Sequence, residues 1–425
     1  MAFYAFHCFL GSAMGSEDER RGIALFQAVF LVLIHTLGFL VLYYRMGDPD
    51  ALYFYALQDV MIIAFMVIMR ILYPGCSRIL INDSLLLMSL GLLMLFRLSK
   101  GDHLRQLIIA VLALIITLPV PFLTEKIRPS RVISIALGGS GLLLLTAVLV
   151  AGRITRGSRL SISIGNLAFQ PSEFVKLTFI FCLAHLYSSD CFSGESRKDR
   201  EERLVITFIA LLFAVLHVLI LVLSKDLGGA AIFFMIYFCM TFVSLKKAWV
   251  PAVFALCGAL SCVIGYKLFP HVRNRVRSWI DPFSRIEDQG YQITQSLFAI
   301  GTGSWFGMGL YEGSPDKIPI VGRDFIFSAI SEEMGTVFSL CLILVIISVF
   351  LKFAGTAIQT EEPYFKLIAT GISVCFAFQA FLNIGGVTRF IPLTGVTLPL
   401  VSYGGSSLLS TQLSFMVMQG IIRRD

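Results

Sequence analysis

Glu173 and Lys176 stand three residues apart at the head of an apolar run, in Phe169-Gln170-Pro171-Ser172-Glu173-Phe174-Val175-Lys176. Pro171 and Ser172 are residues that open helices, and this spacing puts the acid and the base on one helical face. Ionisable groups inside apolar spans are costly and are candidates for function by default. Two readings fit them: a structural ion pair, or a lysine that meets a substrate phosphate while the glutamate holds it in place. Asp226, in Ser224-Lys225-Asp226-Leu227-Gly228-Gly229, lies between two apolar runs, where an aspartate caps the N–H groups of a helix start. Such a cap can also line a cavity. Asp324, in Val321-Gly322-Arg323-Asp324-Phe325-Ile326-Phe327, marks where a long polar connection meets the next apolar run. A partly desolvated carboxylate there suits a general base, and it suits a helix cap equally well. Glu332 and Glu333 follow about two turns further in. One fits a buried partner and the other a polar seam.

Gly301-x-Gly303-x-x-x-Gly307-x-Gly309 invites comparison with a nucleotide-binding loop. No strand pattern precedes it and no lysine follows at phosphate-loop spacing, so no nucleotide is expected. Tight turns, or backbone N–H groups beside a pyrophosphate, account better for the glycines. The six histidines show no metal-ligand spacing, and the nine cysteines contain no C-x-x-C. Zinc chemistry is not expected, and the cysteines read as small hydrophobes packed in helices.

The elements that position these residues must lie in a membrane. Of 425 residues, 57% are hydrophobic and only 14% charged, more apolar surface than one soluble core can hide. The net charge of +7 comes from basic residues in short loops, which is a topology signal and not a nucleic-acid footprint. Spans need about 20 apolar residues, and twelve are expected near 24–44, 51–73, 79–97, 103–123, 132–151, 172–188, 203–223, 227–245, 248–267, 326–354, 364–387 and 398–422. Residues 1–14 are too short to span and lack the basic start of a signal peptide. They fit an interfacial segment or the end of a longer helix.

Placing Arg423-Arg424 in the cytoplasm puts Arg131, the Arg197 to Arg203 cluster and Lys246-Lys247 there too. Two basic stretches fall on the outer side: Arg153 to Arg159, and the segment 268–325 with Arg273, Arg275 and Arg277. Their position suggests an anionic substrate. The segment 268–325 is the longest connection, and long structured loops usually carry function. No internal repeat supports an inverted-repeat transporter.

Taken together these segments resemble the SEDS family, the group of FtsW, RodA and SpoVE. Phe169-Gln170-Pro171-Ser172-Glu173-x-x-Lys176 matches one family motif. Asp226-Leu227-Gly228 resembles a second, with Lys225 where proline is usual and Gly229 where threonine is usual. Arg275-Val276, Asp281-Pro282, Gly290-Tyr291-Gln292 and Gln295-Ser296 resemble the family's large extracellular loop. Asp324-Phe325-Ile326-Phe327 with Glu332-Glu333-x-Gly335, and Leu398 to Ser407 with Ser402 at its centre, resemble the last two signatures. Before Asp324 stand Gly322-Arg323, where His-Thr is common.

The resemblance implies an all-α polytopic membrane protein of about twelve transmembrane helices. Ten would form the family core, with about two in front. It divides the chain into an N-terminal extension, 1–78, and a catalytic membrane domain, 79–425, including the extracellular loop 268–325. It also implies a peptidoglycan glycosyltransferase that polymerises lipid II at the outer face of the bacterial cytoplasmic membrane, beside a class B penicillin-binding protein. Asp324 matches the catalytic position. Arg159, Lys176 and Arg275 are candidates to stabilise the departing pyrophosphate, with Glu173, Asp226, Gln292, Gln295 and Ser402 as further substrate-binding positions. A divalent cation such as Mg or Mn could share that role, and no ligand cage assigns one. A flippase for the lipid-linked precursor and a non-catalytic scaffold of a cell-wall complex are the competing readings.

Overall fold

The computed structural model describes residues 1–13, 17–127, 130–155, 158–164, 167–192, 196–287 and 290–424. Its helices are α1 (Ala2–Ala13), α2 (Glu17–Met46), α3 (Asp50–Leu72), α4 (Arg78–Leu98), α5 (Lys100–Thr117), α6 (Val120–Lys126), α7 (Arg131–Ala151) and α8 (Pro171–Tyr187). They continue as α9 (Arg197–Leu223), α10 (Leu227–Leu245), α11 (Trp249–Leu268), α12 (Pro270–Ile280), α13 (Tyr291–Gly303), α14 (Ile326–Gln359), α15 (Pro363–Val387) and α16 (Gly405–Arg424). Between α7 and α8 run three short antiparallel strands, β1 (Arg153–Thr155), β2 (Ser158–Ile164) and β3 (Leu167–Phe169), with β2 in the middle.

Local chemistry sets many of the ends. Ser99 accepts from the Asp102 N–H at the start of α5, and Ser196 with Asp199 forms a reciprocal capping box on α9. Pro171 occupies the first turn of α8, where its missing N–H costs nothing.

The chain is a multi-pass, all-α membrane protein. Ten helical stretches of the described residues are long and apolar enough to cross a bilayer, with α5 and α6 counting as one stretch. Two of the twelve expected spans fall short. The 172–188 span is α8, which has only 17 residues and carries Glu173 and Lys176. The 398–422 span starts late, at Gly405, because Leu400 at φ +63° and Gly395 at φ +75° hold the preceding segment out of helix. Its buried face is polar, with Ser407, Ser410, Thr411, Gln412 and Gln419. The long connection 268–325 is filled by α12, α13 and a run of turns.

The chain divides into two compact units. The first comprises 1–123, 275–352 and 379–424. Its axis is α4, buried at every residue from Ile79 to Phe96, with α2, α3, α5 and α16 packed around it. The second comprises 124–274 and 353–378. There α7 pairs with α8 and α9 with α10, and Phe179 stacks on Phe213 beside His217 and Phe233.

Helix α14 is broken at Gly335, whose φ of +86° only glycine adopts at little cost. The break frees backbone groups on both sides, and the 304–309 segment takes them up. Met308 and Gly309 donate N–H bonds to the Glu332 and Glu333 carbonyls (2.9 and 3.0 Å). In return Thr336 and Val337 donate to the Ser304 and Trp305 carbonyls (2.9 and 3.1 Å). The approach is backbone on backbone, since a Cβ added at Gly307 would lie 2.2 Å from the Glu333 carbonyl oxygen. The glycine-rich stretch therefore exists to seat this loop on the kink.

Candidate active site

Asp324 closes a turn immediately before α14 and is half-buried. Asn383 of α15 fixes its backbone: one side-chain amide donates to the Asp324 carbonyl (3.0 Å) and to the Val396 carbonyl (2.7 Å). The carboxylate faces Gly395, where an added Cβ would stand 3.8 Å from Asp324 Oδ2. Arg275, on α12, donates from Nη1 to the carbonyl of the adjacent Thr394 (3.1 Å). Two of the expected residues, 49 positions apart in sequence (324 − 275), thus meet consecutive residues of one extended segment.

A second clamp lies beside the first. Trp279 Nε1 donates to the Arg389 carbonyl (3.0 Å), while Arg389 donates from Nε to the Trp279 carbonyl (2.8 Å) and from Nη2 to the Ile280 carbonyl (2.5 Å). Trp279 stands in the long connection that the sequence marks for function, but its pairing with Arg389 is not legible there, because nothing local marks a bond across 110 positions.

Ser402 is buried, and its hydroxyl accepts the Leu398 N–H (2.9 Å), closing the turn ahead of α16. The neighbouring Tyr403 N–H donates to the Gly322 carbonyl (2.7 Å), and its ring lies under the Arg323 guanidinium. The last-helix signature is therefore joined by hydrogen bonding to the Asp324 turn. Gln292 and Gln295 are half-buried and one turn apart on α13. Ser296, next to Gln295, is fully buried and donates to the Val387 carbonyl (2.8 Å) while contacting the Ser328 hydroxyl (2.7 Å).

Glu173, Lys176 and Asp226 belong to the second unit. Lys176 Nζ donates to Glu173 Oε2 at 2.8 Å, and both side chains are buried. Asp226 caps α10 by accepting the Gly229 N–H (2.8 Å), and its charge acts on Lys176. Arg159 lies on β2, and its side chain is outside the described residues.

Sequence reasoning missed two buried ion pairs in the first unit. Arg97 of α4 binds Glu333 Oε1 (2.8 Å) and donates to the Gly313 carbonyl (3.0 Å). Glu332 accepts the Ser314 N–H (2.9 Å), so both glutamates serve the kink and its loop. Lys352 of α14 binds Asp83 Oδ2 (2.9 Å), while Tyr4 and Cys8 of α1 donate to Asp83 Oδ1. The available signal was the one used for Glu173, an ionisable residue within an apolar run. Among the described residues no three His, Cys, Asp or Glu side chains come together to hold a metal ion.

The chain is matched over residues 77–425 by the FtsW/RodA/SpoVE family model, described as cell cycle protein. It is 34% identical over 374 residues to the peptidoglycan glycosyltransferase RodA of Mycobacterium tuberculosis, covering 82% of this chain and 78% of that one. A probable peptidoglycan glycosyltransferase FtsW of Aliivibrio salmonicida is 34% identical over 275 residues, 63% of this chain and 67% of the relative. Among solved structures, the rod shape determining protein RodA of Thermus thermophilus aligns with a TM-score of 0.59 at 25% identity, over 81% of this chain and 95% of that one. A chain from a structure described as structural coordination of polymerization and crosslinking by a peptidoglycan synthase complex aligns with a TM-score of 0.64 at 27% identity, over 81% and 97%. With a polytopic fold shared across four-fifths of its length and the family match running from α4 to its end, this chain belongs to the FtsW/RodA/SpoVE family.

Proposed function

We propose that this protein is a peptidoglycan glycosyltransferase that polymerises lipid II, a disaccharide-pentapeptide on undecaprenyl pyrophosphate, at the outer face of the cytoplasmic membrane. The observation that carries the reading is Asp324: a carboxylate at the head of a spanning helix, with its backbone pinned by Asn383 and Arg275 anchored beside the segment it faces. Residues 79–425 form the catalytic membrane domain, with 268–325 outside and the C-terminus in the cytoplasm. A class B penicillin-binding protein is the expected partner, and it would cross-link the strands made here.

In this mechanism the acceptor sugar hydroxyl attacks the anomeric carbon of the donor. Its proton passes to the Asp324 carboxylate as the new C–O bond forms. The bond to the lipid pyrophosphate breaks, and the pyrophosphate leaves with the electron pair. The Arg275 cation, in the same unit as Asp324, opposes the charge that develops on it, and Lys176 and Arg159 are the candidates of the second unit for contacts to the anionic substrate. Glu173 holds Lys176 in one rotamer, and Asp226 sets the start of α10 nearby. Gln292, Gln295 and Ser402 complete the proposed substrate contacts.

The test is polymerisation of purified lipid II by the purified protein, alone and with its penicillin-binding partner, read as glycan chain length. Glycan strands are the expected product. A protein that moves lipid II across vesicles and polymerises none under either condition would be a transporter. One that does neither while still binding the partner would be a scaffold.

A further inference from the structure

The family match begins at residue 77, so α2 and α3 lie ahead of it. Both helices pack on α4. At Gly38 the approach is so close that an added Cβ would stand 2.6 Å from Leu93 Cδ2. Beyond that point Phe39, Leu42 and Ala51 join Leu93 and Phe96 of α4 in a buried cluster, against which Leu310 and Met334 pack. Leu310 belongs to the loop that seats on the α14 kink, and Met334 is the residue before the kink glycine. Beside the cluster, Arg45 at the end of α2 reaches Glu312 of the same loop at 2.7 Å.

We infer that the α2–α3 hairpin is a brace that positions the 304–316 loop and the α14 kink, and through them the Asp324 turn at the head of α14. Its effect on activity rests on the glycosyltransferase reading, whereas its effect on the loop does not. The apolar contact carries most of the brace. Arg45 and Glu312 are both partly exposed, and exposed pairs contribute little. Phe39 has no exposed surface, so its truncation opens a cavity in the cluster against which Leu310 and Met334 pack. Arg45, Gly38 and Phe39 are positioning residues, since each acts through the loop.

The experiment measures amide exchange and polymerisation on the full chain in lipid nanodiscs, for wild type, Phe39→Ala and Phe39→Leu. The Met308 and Gly309 amides, bonded to the Glu332 and Glu333 carbonyls, are the reporters. Phe39→Ala should speed exchange across 304–316 by about tenfold or more, leave α10 unchanged, and lower kcat with KM little altered. Phe39→Leu should restore most of both. If Phe39→Ala keeps wild-type protection at 304–316, the brace is wrong. Faster exchange with an unchanged kcat would overturn the link to Asp324. Should Phe39→Ala fail to fold, Leu42→Ala, a smaller truncation in the same buried cluster, takes its place: faster exchange at 304–316 supports the brace, and wild-type protection there refutes it. If wild type itself polymerises nothing, the exchange arm still decides the brace, so the two ideas fail separately.

Discussion

Around Asp324 the charged and amide groups are held by partners far away in sequence. Arg275 reaches Thr394 across 119 positions, Arg389 reaches Trp279 across 110, and Asn383 reaches Asp324 across 59. Around Lys176 the opposite holds. Glu173 is three residues away on the same helix, and Asp226 caps α10 through a bond to Gly229, again three residues on. The second set forms as soon as its helices form, because side chains three apart share a face. The first set forms only when loops, α12, α14 and α15 have all found their places. One region is written locally and the other is assembled. Damage to distant packing should therefore reach the Asp324 region first and leave the Glu173–Lys176 pair standing.

The largest effect should come from removing the chemistry itself. Asp324→Asn keeps the shape and the backbone bond from Asn383 but removes the basicity. Loss of a general base lowers the rate by about 10²–10⁴-fold, and this variant should lose polymerisation on that scale while still inserting and binding lipid II. Turnover at the wild-type rate would move the base to another carboxylate.

Next comes the local pair. Removing Lys176 alone takes the opposing charge away from buried Glu173, and breaking a buried pair costs about 3–5 kcal/mol. Lys176→Ala should therefore lower thermal stability as well as activity, which makes it an ambiguous test. The double variant Glu173→Leu with Lys176→Met removes both charges and should recover most of the melting temperature, since apolar replacement of a buried pair is often neutral. If the pair serves the substrate, the recovered protein stays inactive. Recovered activity would return the pair to a structural role.

How much of this was legible follows the same division. The Glu173–Lys176 pairing and the Asp226 cap could be read directly, because helix geometry converts a spacing of three into contact. The apolar runs located most spans for the same reason, and the 398–422 run failed where turn geometry at Gly395 and Leu400 overrode apolar composition. The pairs Arg97–Glu333 and Asp83–Lys352 could not be matched, since 236 and 269 positions separate their members. Each residue was visible as a charge in an apolar run, but its partner was not. Sequence alone reads the glycine-rich stretch as tight turns or as backbone N–H groups beside a pyrophosphate. Its purpose, filling the backbone groups opened at Gly335, needed the kink to be seen.

Assembled support should break at the kink. Gly335→Ala forces a side chain into φ +86°, and its Cβ would lie 2.3 Å from the Gly307 nitrogen. Strain of this kind costs about 1–3 kcal/mol, and the backbone contact allows no rotamer escape. The melting temperature and the polymerisation rate should both fall. Gly355→Ala, on the same helix with nothing within 4 Å of its Cβ, is the control and should be neutral or slightly stabilising. Equal losses in the two variants would mean that the kink has no special part in supporting Asp324.

The smallest effect is expected where charges of the first unit meet water. Lys100 binds Asp48, in the connection between α2 and α3, and Asp50, the first residue of α3, which lies 3.0 Å from its Nζ. The Lys100 hydrogen bond holds the Asp48 carboxyl below its ordinary range. A depressed carboxyl stabilises the folded state above its unfolded pKa, and that contribution is lost as pH falls through the folded value. Wild type should therefore melt slightly above Lys100→Ala at neutral pH, with the gap closing below about pH 4 as the carboxylates take up protons. High salt should narrow the gap at neutral pH as well, because exposed charges are screened. Polymerisation should be unaffected throughout, since neither partner touches the Asp324 turn or its clamps. A gap that grew on acidification would show that the connection is held by something other than this ion pair. A large loss of activity in Lys100→Ala would mean that the tip of the hairpin acts on the site through its charge, and not only through the apolar cluster beneath it.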